Sequence, residues 1–288
     1  MNKELEEILQ RLGELLPAPA PSTDWSASIA FRWRSSGRRA VGREAAGWLQ
    51  PVRQVHRIKL ADLRGIDRQI ERVEQNTRQF LHGRPANNVL LTGARGTGKS
   101  SIVKGLLNKY ARQGLRLIEV EKNDLVELPQ IVDQVAGRSE RYLLFCDDLS
   151  FHGAEDGYIA LKVALDGSIS TTSENLLIYA TSNRRHLMPE FMAENLETQY
   201  VGDEIHPGET VEEKISLSER FGLWVTFYPF DQDEYLAIVV HWLKALGGKW
   251  SDAAREEALQ WSLQRGSRSG RVAYQFARDW AGRHSKKS

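Results

Sequence analysis

A glycine-rich octapeptide, GARGTGKS at residues 93–100, constrains the fold of this chain more than any other feature of its sequence. It matches the phosphate-loop pattern G-x-x-x-x-G-K-[S/T] at every fixed position. An apolar run of buried-strand type precedes it at residues 88–92, and apolar side chains at helical spacing follow it as far as Gly114. A strand, a glycine loop and a helix in this order direct backbone N–H groups and the positive end of a helix towards an anion. The sequence therefore predicts a binding site for a nucleoside triphosphate.

The residues of this loop have separate expected tasks. The Lys99 side chain can reach the terminal phosphates, and the Ser100 hydroxyl can hold Mg²⁺. The glycines allow the backbone to wrap closely around the phosphates. We therefore predict that one continuous stretch binds the nucleotide: Gly93, Ala94, Arg95, Gly96, Thr97, Gly98, Lys99, Ser100 and Ser101.

Apolar runs alternate with helical patterns through the middle of the chain. They predict strands at residues 88–92, 115–120, 142–146, 176–180 and 224–228. This alternation is typical of a parallel sheet with helices on both faces, here with five strands. Ligands of such sheets bind at the carboxyl ends of the strands, where Gly93, Asp147 and Asn183 fall.

The third predicted strand runs directly into Asp147 and Asp148, and Asn183 follows the fourth. Phosphoryl transfer to water requires Mg²⁺, a group that orients the water, and cations that stabilise charge on the γ-phosphate. Asp147 is placed to hold Mg²⁺ through water, so that Ser100 and Asp147 form the predicted metal site. Asp148 can polarise the attacking water, and Asn183 can supply an amide to the same water or to the γ-phosphate.

The N-terminal segment, residues 1–58, has two features of its own. Leucine and isoleucine side chains at residues 5–16 form one face of an amphipathic helix, either docked on its own domain or binding a partner or a second copy. From Trp25 to Lys59 arginines are interleaved with aromatic residues. That composition suits nucleic-acid contacts, but the alternation over residues 29–34 favours a half-buried strand, and with it packing or a subunit contact.

The pattern changes again after Pro229, where it becomes wholly helical. Predicted helices at residues 231–246, 252–264 and 270–282 indicate a small helical lid domain at 230–288, beside a nucleotide-binding α/β domain at 59–229. Between the fourth and fifth strands, the acidic segment 197–216 is expected to form a mobile loop or a small hairpin.

Composition excludes several classes of protein. The chain is 41% hydrophobic and 27% charged with a net charge of +1, values of an ordinary globular protein that give no global reason to bind membrane or nucleic acid. No apolar run approaches the roughly 20 residues of a bilayer span. The single cysteine, Cys146, allows no intrachain disulfide and is expected to be a buried, inert thiol. The expected compartment is the cytoplasm.

Taken in chain order, these motifs resemble the AAA+ ATPases. The amino-acid sequences of these motifs are similar to those of an uncharacterised bacterial AAA+ group that carries only a domain-of-unknown-function label. The resemblance covers about residues 55 to 283 and rests on segments 64–67, 85–89, 93–101, 145–151, 180–187, 216–222 and 268–273.

The resemblance implies a role for each matching residue. Gly65 and Ile66 would lie against the adenine of ATP. Lys99 and Ser100 would form Walker A, and Asp147 and Asp148 would form Walker B. The remaining three would be sensor 1, the arginine finger given to a neighbouring subunit, and sensor 2: Asn183, Arg220 and Arg271 respectively. One position departs from the family, since the usual Asp-Glu of Walker B is Asp-Asp here, and the shorter Asp148 is expected to slow turnover.

We therefore expect an AAA+ ATPase that binds ATP and Mg²⁺ and couples hydrolysis to conformational change or to remodelling of a macromolecular partner. The alternative is a slow-turnover, ATP-dependent switch or loader that acts on nucleic acid or a nucleoprotein complex. The resemblance also implies a homo-oligomer, a ring or a spiral, in the presence of ATP. The client, a protein or a nucleic acid, is not identified by the sequence.

Overall fold

The computed structural model of the chain describes residues 21–35, 47–150, 156–166, 174–183, 199–201, 204–206 and 219–284. Within these residues a seven-stranded sheet forms the centre, in the order β2-β1-β4-β5-β6-β3-β9. The strands are β1 (Ala30–Ser35), β2 (Gly47–Pro51), β3 (Val89–Gly93), β4 (Leu115–Glu119), β5 (Arg141–Cys146), β6 (Leu176–Ser182), β7 (Gln199–Val201), β8 (Glu204–His206) and β9 (Leu223–Phe227).

The five predicted parallel strands are confirmed as β4, β5, β6, β3 and β9. The sheet is nevertheless wider than predicted, because the N-terminal segment adds β1 parallel to β4 and β2 antiparallel to β1. The predicted strand over residues 29–34 is thus present as β1. Its Phe31 and Trp33 side chains are fully buried, and the Trp33 indole donates a 2.7 Å hydrogen bond to Glu127. These described residues of the basic and aromatic segment are packed inside the protein.

Helices cover both faces of the sheet. They are α1 (Asp67–Leu81), α2 (Lys99–Tyr110), α3 (Leu128–Val135), α4 (Asp156–Asp166), α5 (Gln232–Ala245), α6 (Asp252–Gln264) and α7 (Gly270–His284). Side chains of β5 alternate between two apolar clusters: Leu143 and Phe145 join the one that contains α1 and α2, whereas Tyr142, Leu144 and Cys146 join the one that contains α3 and α4. A strand buried on both faces reads as the continuous apolar run seen in the sequence.

The Cys146 thiol is 1% exposed, and burial raises its pKa to about 12. At neutral pH it is therefore an uncharged core side chain, as expected.

The three C-terminal helices agree with the predicted ranges 231–246, 252–264 and 270–282 within two residues at each end. Asp231 caps α5 by accepting from the Glu234 N–H, and Ser251 caps α6 in the same way from Ala254. Helices α5 and α7 pack against each other, and their apolar faces join the core cluster under α1 and α2. Within the described part of the chain, no helix combines the length and the apolar character that a bilayer crossing needs.

Two predictions concern segments that are described in part or not at all. In the acidic segment β7 and β8 pair as antiparallel strands, which agrees with the hairpin alternative. The predicted amphipathic helix at residues 5–16 lies outside the described residues.

Candidate nucleotide-binding site

A cleft of about 720 Å³ opens at the carboxyl edge of the parallel strands. Its walls come from residues 56–66, the phosphate loop, the ends of β5 and β6, and the C-terminal helices α5 and α7. Most predicted site residues line it: Ile66, Arg95, Gly96, Thr97, Gly98, Lys99, Ser100, Ser101, Asp147, Asp148, Asn183 and Arg271. The structure therefore gathers residues that are more than 200 positions apart in the chain.

The phosphate loop is held from behind by β9. The Ala94 N–H donates a 3.1 Å hydrogen bond to the Phe227 carbonyl. Gly93 has a φ of 118°, and a Cβ at this position would lie 2.0 Å from the same carbonyl oxygen. Only glycine tolerates both the left-handed backbone and this close approach. Gly93 and Ala94 thus support the loop from below and do not line the cleft.

Lys99 folds back into the loop that precedes it. Its ammonium donates to the carbonyls of Gly93 and Ala94 at 2.8 and 2.7 Å, and to Asn183 Oδ1 at 3.1 Å. Burial lowers the pKa of Lys99 to about 8, against the opposing effect of the nearby Asp147 and Asp148 carboxylates. A pKa of about 8 leaves this side chain mainly cationic at pH 7, in a position where phosphate oxygens can replace the carbonyls.

Ser100 and Asp147 supply oxygen atoms of the type that Mg²⁺ prefers. The Ser100 hydroxyl donates to Asp147 Oδ1 at 2.6 Å. Adjacent ligands of an octahedral Mg²⁺ are roughly 2.9 Å apart, given bond lengths of about 2.0–2.1 Å. Among the described residues no group of three or more His, Cys, Asp or Glu side chains converges on one point. The pair therefore fits a cation that also takes ligands from phosphate and water.

Asp148 has an unusual backbone conformation for a residue with a side chain, since its φ is 54°. Its N–H donates to Thr181 Oγ1 at 2.9 Å, and its carboxylate accepts a hydrogen bond from the Asn183 amide. The Thr181 hydroxyl donates in turn to Asp147 at 2.5 Å. Sequence reasoning missed Thr181. The available signal was its place two residues before Asn183, because alternate residues of a strand share one face.

Arg271 contacts the phosphate loop from the last C-terminal helix. It lies in the first turn of α7, and its N–H donates to the Gly96 carbonyl at 3.3 Å. Gly96 has a φ of 73°, and a Cβ there would lie 2.8 Å from Ser269 Oγ. The first turn of α7 and the loop are therefore in direct contact, and Arg95 and Arg271 both line the cleft.

A further part of the cleft wall contains apolar and aromatic residues, with the charged Asp62, Arg64 and Lys104 also among the lining residues. Sequence reasoning identified only Gly65 and Ile66 there. Ile66 lines the wall, and Gly65 lies behind it, where a Cβ would be 3.1 Å from the Phe230 ring. Other lining residues include several that no local motif marks: His56, Arg57, Ile58, Phe230, Ile238, Trp242 and Tyr274. The rings of Trp242 and Tyr274 are 4.7 Å apart in an edge-on arrangement.

Arg220 is the one predicted catalytic residue that does not line the cleft. It precedes β9, and thus lies at the amino edge of the sheet, whereas Gly93 pairs with Phe227 at the carboxyl end of β9. Five strand residues at about 3.3 Å each separate the two edges by roughly 15 Å. The Arg220 backbone is anchored by Phe221, which is 3% exposed, and by Gly222, where a Cβ would lie 2.3 Å from Asn87 Oδ1.

Comparison with protein families gives one match, over residues 26–284, to a family described as "Protein of unknown function (DUF815)". No match is found among curated proteins.

Several solved structures are similar to this chain. The Aeropyrum pernix ORC1 protein in complex with DNA is 16% identical, with a TM-score of 0.54 over 78% of this chain and 62% of that chain. A chain of the Escherichia coli MS115-1 HORMA:CdnC:Trip13 complex is 14% identical, with a TM-score of 0.51 over 76% and 90%. The Thermotoga maritima RuvB Holliday junction branch migration motor is 16% identical, with a TM-score of 0.48 over 76% and 63%. This chain spans less than two thirds of the RuvB and ORC1 chains. The first two likenesses show an AAA+ fold of the P-loop NTPase class.

Proposed function

The chain belongs to the DUF815 family, and from its AAA+ fold and the geometry of its cleft we propose that it binds Mg²⁺-ATP there and hydrolyses it. One observation carries the proposal. A continuous series of hydrogen bonds joins Ser100, Asp147, Thr181, Asp148, Asn183 and Lys99 at the carboxyl edge of the sheet. This series supports the proposal because it brings together, in one cleft, the residues to which we assign phosphate, metal and water binding.

The volume of the cleft and the chemical character of its lining both suit a nucleotide. Its volume of about 720 Å³ falls in the usual range of ligand pockets. The triphosphate would lie on the backbone N–H groups of the loop and on the N-terminus of α2, with Lys99, Arg95 and Arg271 as cations around it. The base would lie between Ile66 and the lid side chains Phe230, Trp242 and Tyr274, because an apolar and aromatic wall favours a stacked purine.

Hydrolysis would use the chain's own residues as follows. The metal, held by Ser100 and Asp147, would neutralise charge on the phosphate oxygens. Lys99 leaves the Gly93 and Ala94 carbonyls and donates to the terminal phosphates. Asp148 accepts a hydrogen bond from the attacking water, whose oxygen bonds to the γ-phosphorus as the bond to the β-phosphate oxygen breaks. Asn183 holds that water or the γ-phosphate through its amide, and Arg271 stabilises the developing charge from the lid.

We propose that the complete site forms between subunits. Arg220 lies at the opposite edge of the sheet from the chain's own phosphate loop, so that its guanidinium would act on the nucleotide of a neighbouring copy. ATP would then favour a ring or a spiral, and hydrolysis would move the lid, the subunits or a macromolecular client. Among the similar structures, ORC1 is in complex with DNA and the Trip13 complex contains other proteins. Either class of client is compatible with this geometry.

A second candidate function is an ATP-dependent switch or loader with slow turnover. It is favoured by the Asp148 carboxylate, which is one methylene shorter than glutamate and is already engaged by the Asn183 amide. Such a site would bind ATP well but would hydrolyse it slowly until a partner completes it.

The test is to measure binding and hydrolysis separately in the full chain. We expect a fluorescent ATP analogue to bind with Mg²⁺, and Lys99→Ala to lower that affinity at least tenfold while the far-UV circular dichroism spectrum stays unchanged. Phosphate release, with and without added DNA, then separates a steady ATPase from a slow switch. A folded Lys99→Ala protein with parental affinity and turnover would contradict nucleotide binding at this loop.

A further inference from the structure

We propose that Thr181 is a positioning residue that orients both acids of the site and thereby makes the Asp-Asp pair competent. This inference rests on the proposed function, since it assigns the residue that sets the geometry of the metal and water ligands. Thr181 lies on β6, is 2% exposed, and faces the end of β5. Thr181 lines the cleft beside Asp147 and Asp148, and the role that we assign to it acts through these two acids.

The hydrogen bonds at Thr181 leave only one assignment for its single hydroxyl proton. The Asp148 N–H can only donate, so Thr181 Oγ1 must accept from it at 2.9 Å. The hydroxyl proton therefore goes to Asp147 Oδ1, 2.5 Å away. One side chain thus satisfies the backbone of one acid and the carboxylate of the other, in a fixed direction.

The main chain of Thr181 holds the same turn from below. Its carbonyl accepts a 2.6 Å hydrogen bond from the Leu149 N–H, and the Leu149 side chain is fully buried. Asp148 lies between these two contacts with its φ of 54°. A left-handed residue other than glycine persists only where its surroundings determine it. Thr181, with its two contacts on either side of Asp148, is the local structure that determines it.

The turn held by Thr181 affects the position of Asp148, the acid that is one methylene shorter than the usual glutamate. The left-handed turn places the Asp148 carboxylate in contact with the Asn183 amide, at the end of the neighbouring strand. Both hydrogen bonds that the described residues make to Asp147 end on Oδ1, from Ser100 and from Thr181, so these two hydroxyls fix the same carboxylate oxygen. The position of each carboxylate is therefore set by the backbone turn and by a hydroxyl, and does not depend on side-chain length alone.

The experiment compares Thr181→Val, which keeps the shape and loses the hydroxyl, with Thr181→Ser, which keeps the hydroxyl. The matched control is Thr77→Val, because Thr77 is equally buried and its hydroxyl bonds to Val73 and Tyr179 away from the cleft. Two quantities are measured: Mn²⁺ affinity in the presence of ATP, by electron paramagnetic resonance, and kcat. Binding of a fluorescent ATP analogue in EDTA measures the nucleotide affinity that does not depend on a metal ion.

We expect Thr181→Val to weaken Mn²⁺ binding and lower kcat by about 10–100-fold, the usual effect of removing a partner of a metal ligand. ATP binding in EDTA should stay within twofold of the parent, Thr181→Ser should retain most of the parental values, and Thr77→Val should leave them unchanged. Thr181→Ala serves in place of the valine variant if the latter does not fold.

Three outcomes would overturn the inference. Parental Mn²⁺ affinity and kcat in folded Thr181→Val would exclude a role for the hydroxyl. A serine variant as impaired as the valine variant would assign the effect to packing of the methyl group. Failure of the parent protein itself to bind ATP would refute the proposed function, and the inference with it, which distinguishes the two failures.

Discussion

The side-chain oxygen of Asn183 accepts a 3.1 Å hydrogen bond from the Lys99 ammonium, which joins the end of β6 to the phosphate loop. In the cleft as described, the residue predicted to bind phosphate is thus bonded to the residue predicted to detect it. A γ-phosphate that attracts Lys99 would release the Asn183 oxygen. The exchange of this contact is therefore a physical route by which the end of β6 responds to nucleotide.

Substitution of Asn183 should separate binding from hydrolysis. In Asn183→Ala, Lys99 loses a competing acceptor, so we expect ATP affinity equal to or above that of the parent and kcat about 10²-fold lower, because a donor to the transition state is lost. In Asn183→Asp, a carboxylate would hold Lys99 and repel phosphate, so affinity should fall at least tenfold. Titration with a fluorescent ATP analogue and phosphate-release kinetics test both. Equal affinities in the two variants would contradict the exchange.

The two acids should fail in different ways. Asp147→Ala removes a proposed metal ligand, so we expect the stimulation of ATP binding by Mg²⁺ to be largely lost. Asp148→Asn removes the group that polarises water, so ATP should bind normally but remain unhydrolysed. Affinities measured with Mg²⁺ and with EDTA, together with single-turnover hydrolysis, distinguish these outcomes. If Asp148→Asn hydrolyses ATP at the parental rate, another carboxylate must orient the water.

Arg220 should be required in the neighbouring subunit. We expect Arg220→Ala to bind ATP normally and to lose about 10³-fold or more in kcat, the range of an arginine finger. Mixing Arg220→Ala with Lys99→Ala should restore part of the activity, because some interfaces then combine an intact loop with an intact arginine. Mixed oligomers are verified by orthogonal tags. Recovery that stays at zero in such oligomers would refute a shared site.

Trp242 should contribute to binding of the base and not of the phosphates. Loss of base–aromatic stacking costs about 1–3 kcal/mol, so Trp242→Ala should weaken ATP binding roughly 5–150-fold. Binding of inorganic tripolyphosphate should not change. Trp250→Ala is the matched control, since Trp250 is 37% exposed and lies outside the cleft. Isothermal titration calorimetry measures all three proteins, and an equal loss for ATP and tripolyphosphate would rule out a base contact.

Trp33 should stabilise the whole central sheet, because β1 is one of its seven strands. Trp33→Ala removes a fully buried side chain, and we expect a loss of about 3–5 kcal/mol in the free energy of unfolding. Arg34→Ala, on the exposed side of the same strand, should change stability by less than about 1 kcal/mol. Urea denaturation monitored by circular dichroism gives both values. A small effect of Trp33→Ala would show that the hairpin is only loosely attached.

The central strands and the phosphate loop were predictable because their signals are local. Each strand is an apolar run, and GARGTGKS is a contiguous motif whose neighbours agree with it. The width of the sheet was not predictable in the same way. The partners of β1 are β2 and β4, and β4 begins 80 residues further along the chain. Nothing in residues 47–51 alone indicates that β2 forms the sheet edge.

The site residues also divide into those that local motifs predict and those that only contacts across the fold identify. Lys99, Ser100 and the two acids follow from motifs, whereas Thr181, Trp242 and Tyr274 become functional candidates only through contacts across the fold. Threonine is common in strands because it is β-branched, and aromatic residues are common on the buried faces of helices, so neither residue type by itself indicates a functional site. Their positions beside the cleft, and not their identities, single them out.

The backbone hydrogen bond between Arg271 and Gly96 joins the first turn of a long helix to the phosphate loop. Helix α7 begins at the phosphate loop and continues for 15 residues, or about 22 Å at 1.5 Å per residue. A rotation of roughly 10° at the loop would displace the far end of this rigid rod by about 4 Å. A rotation of this size at the phosphate loop would thereby produce a movement of several ångströms at the C-terminal end of α7.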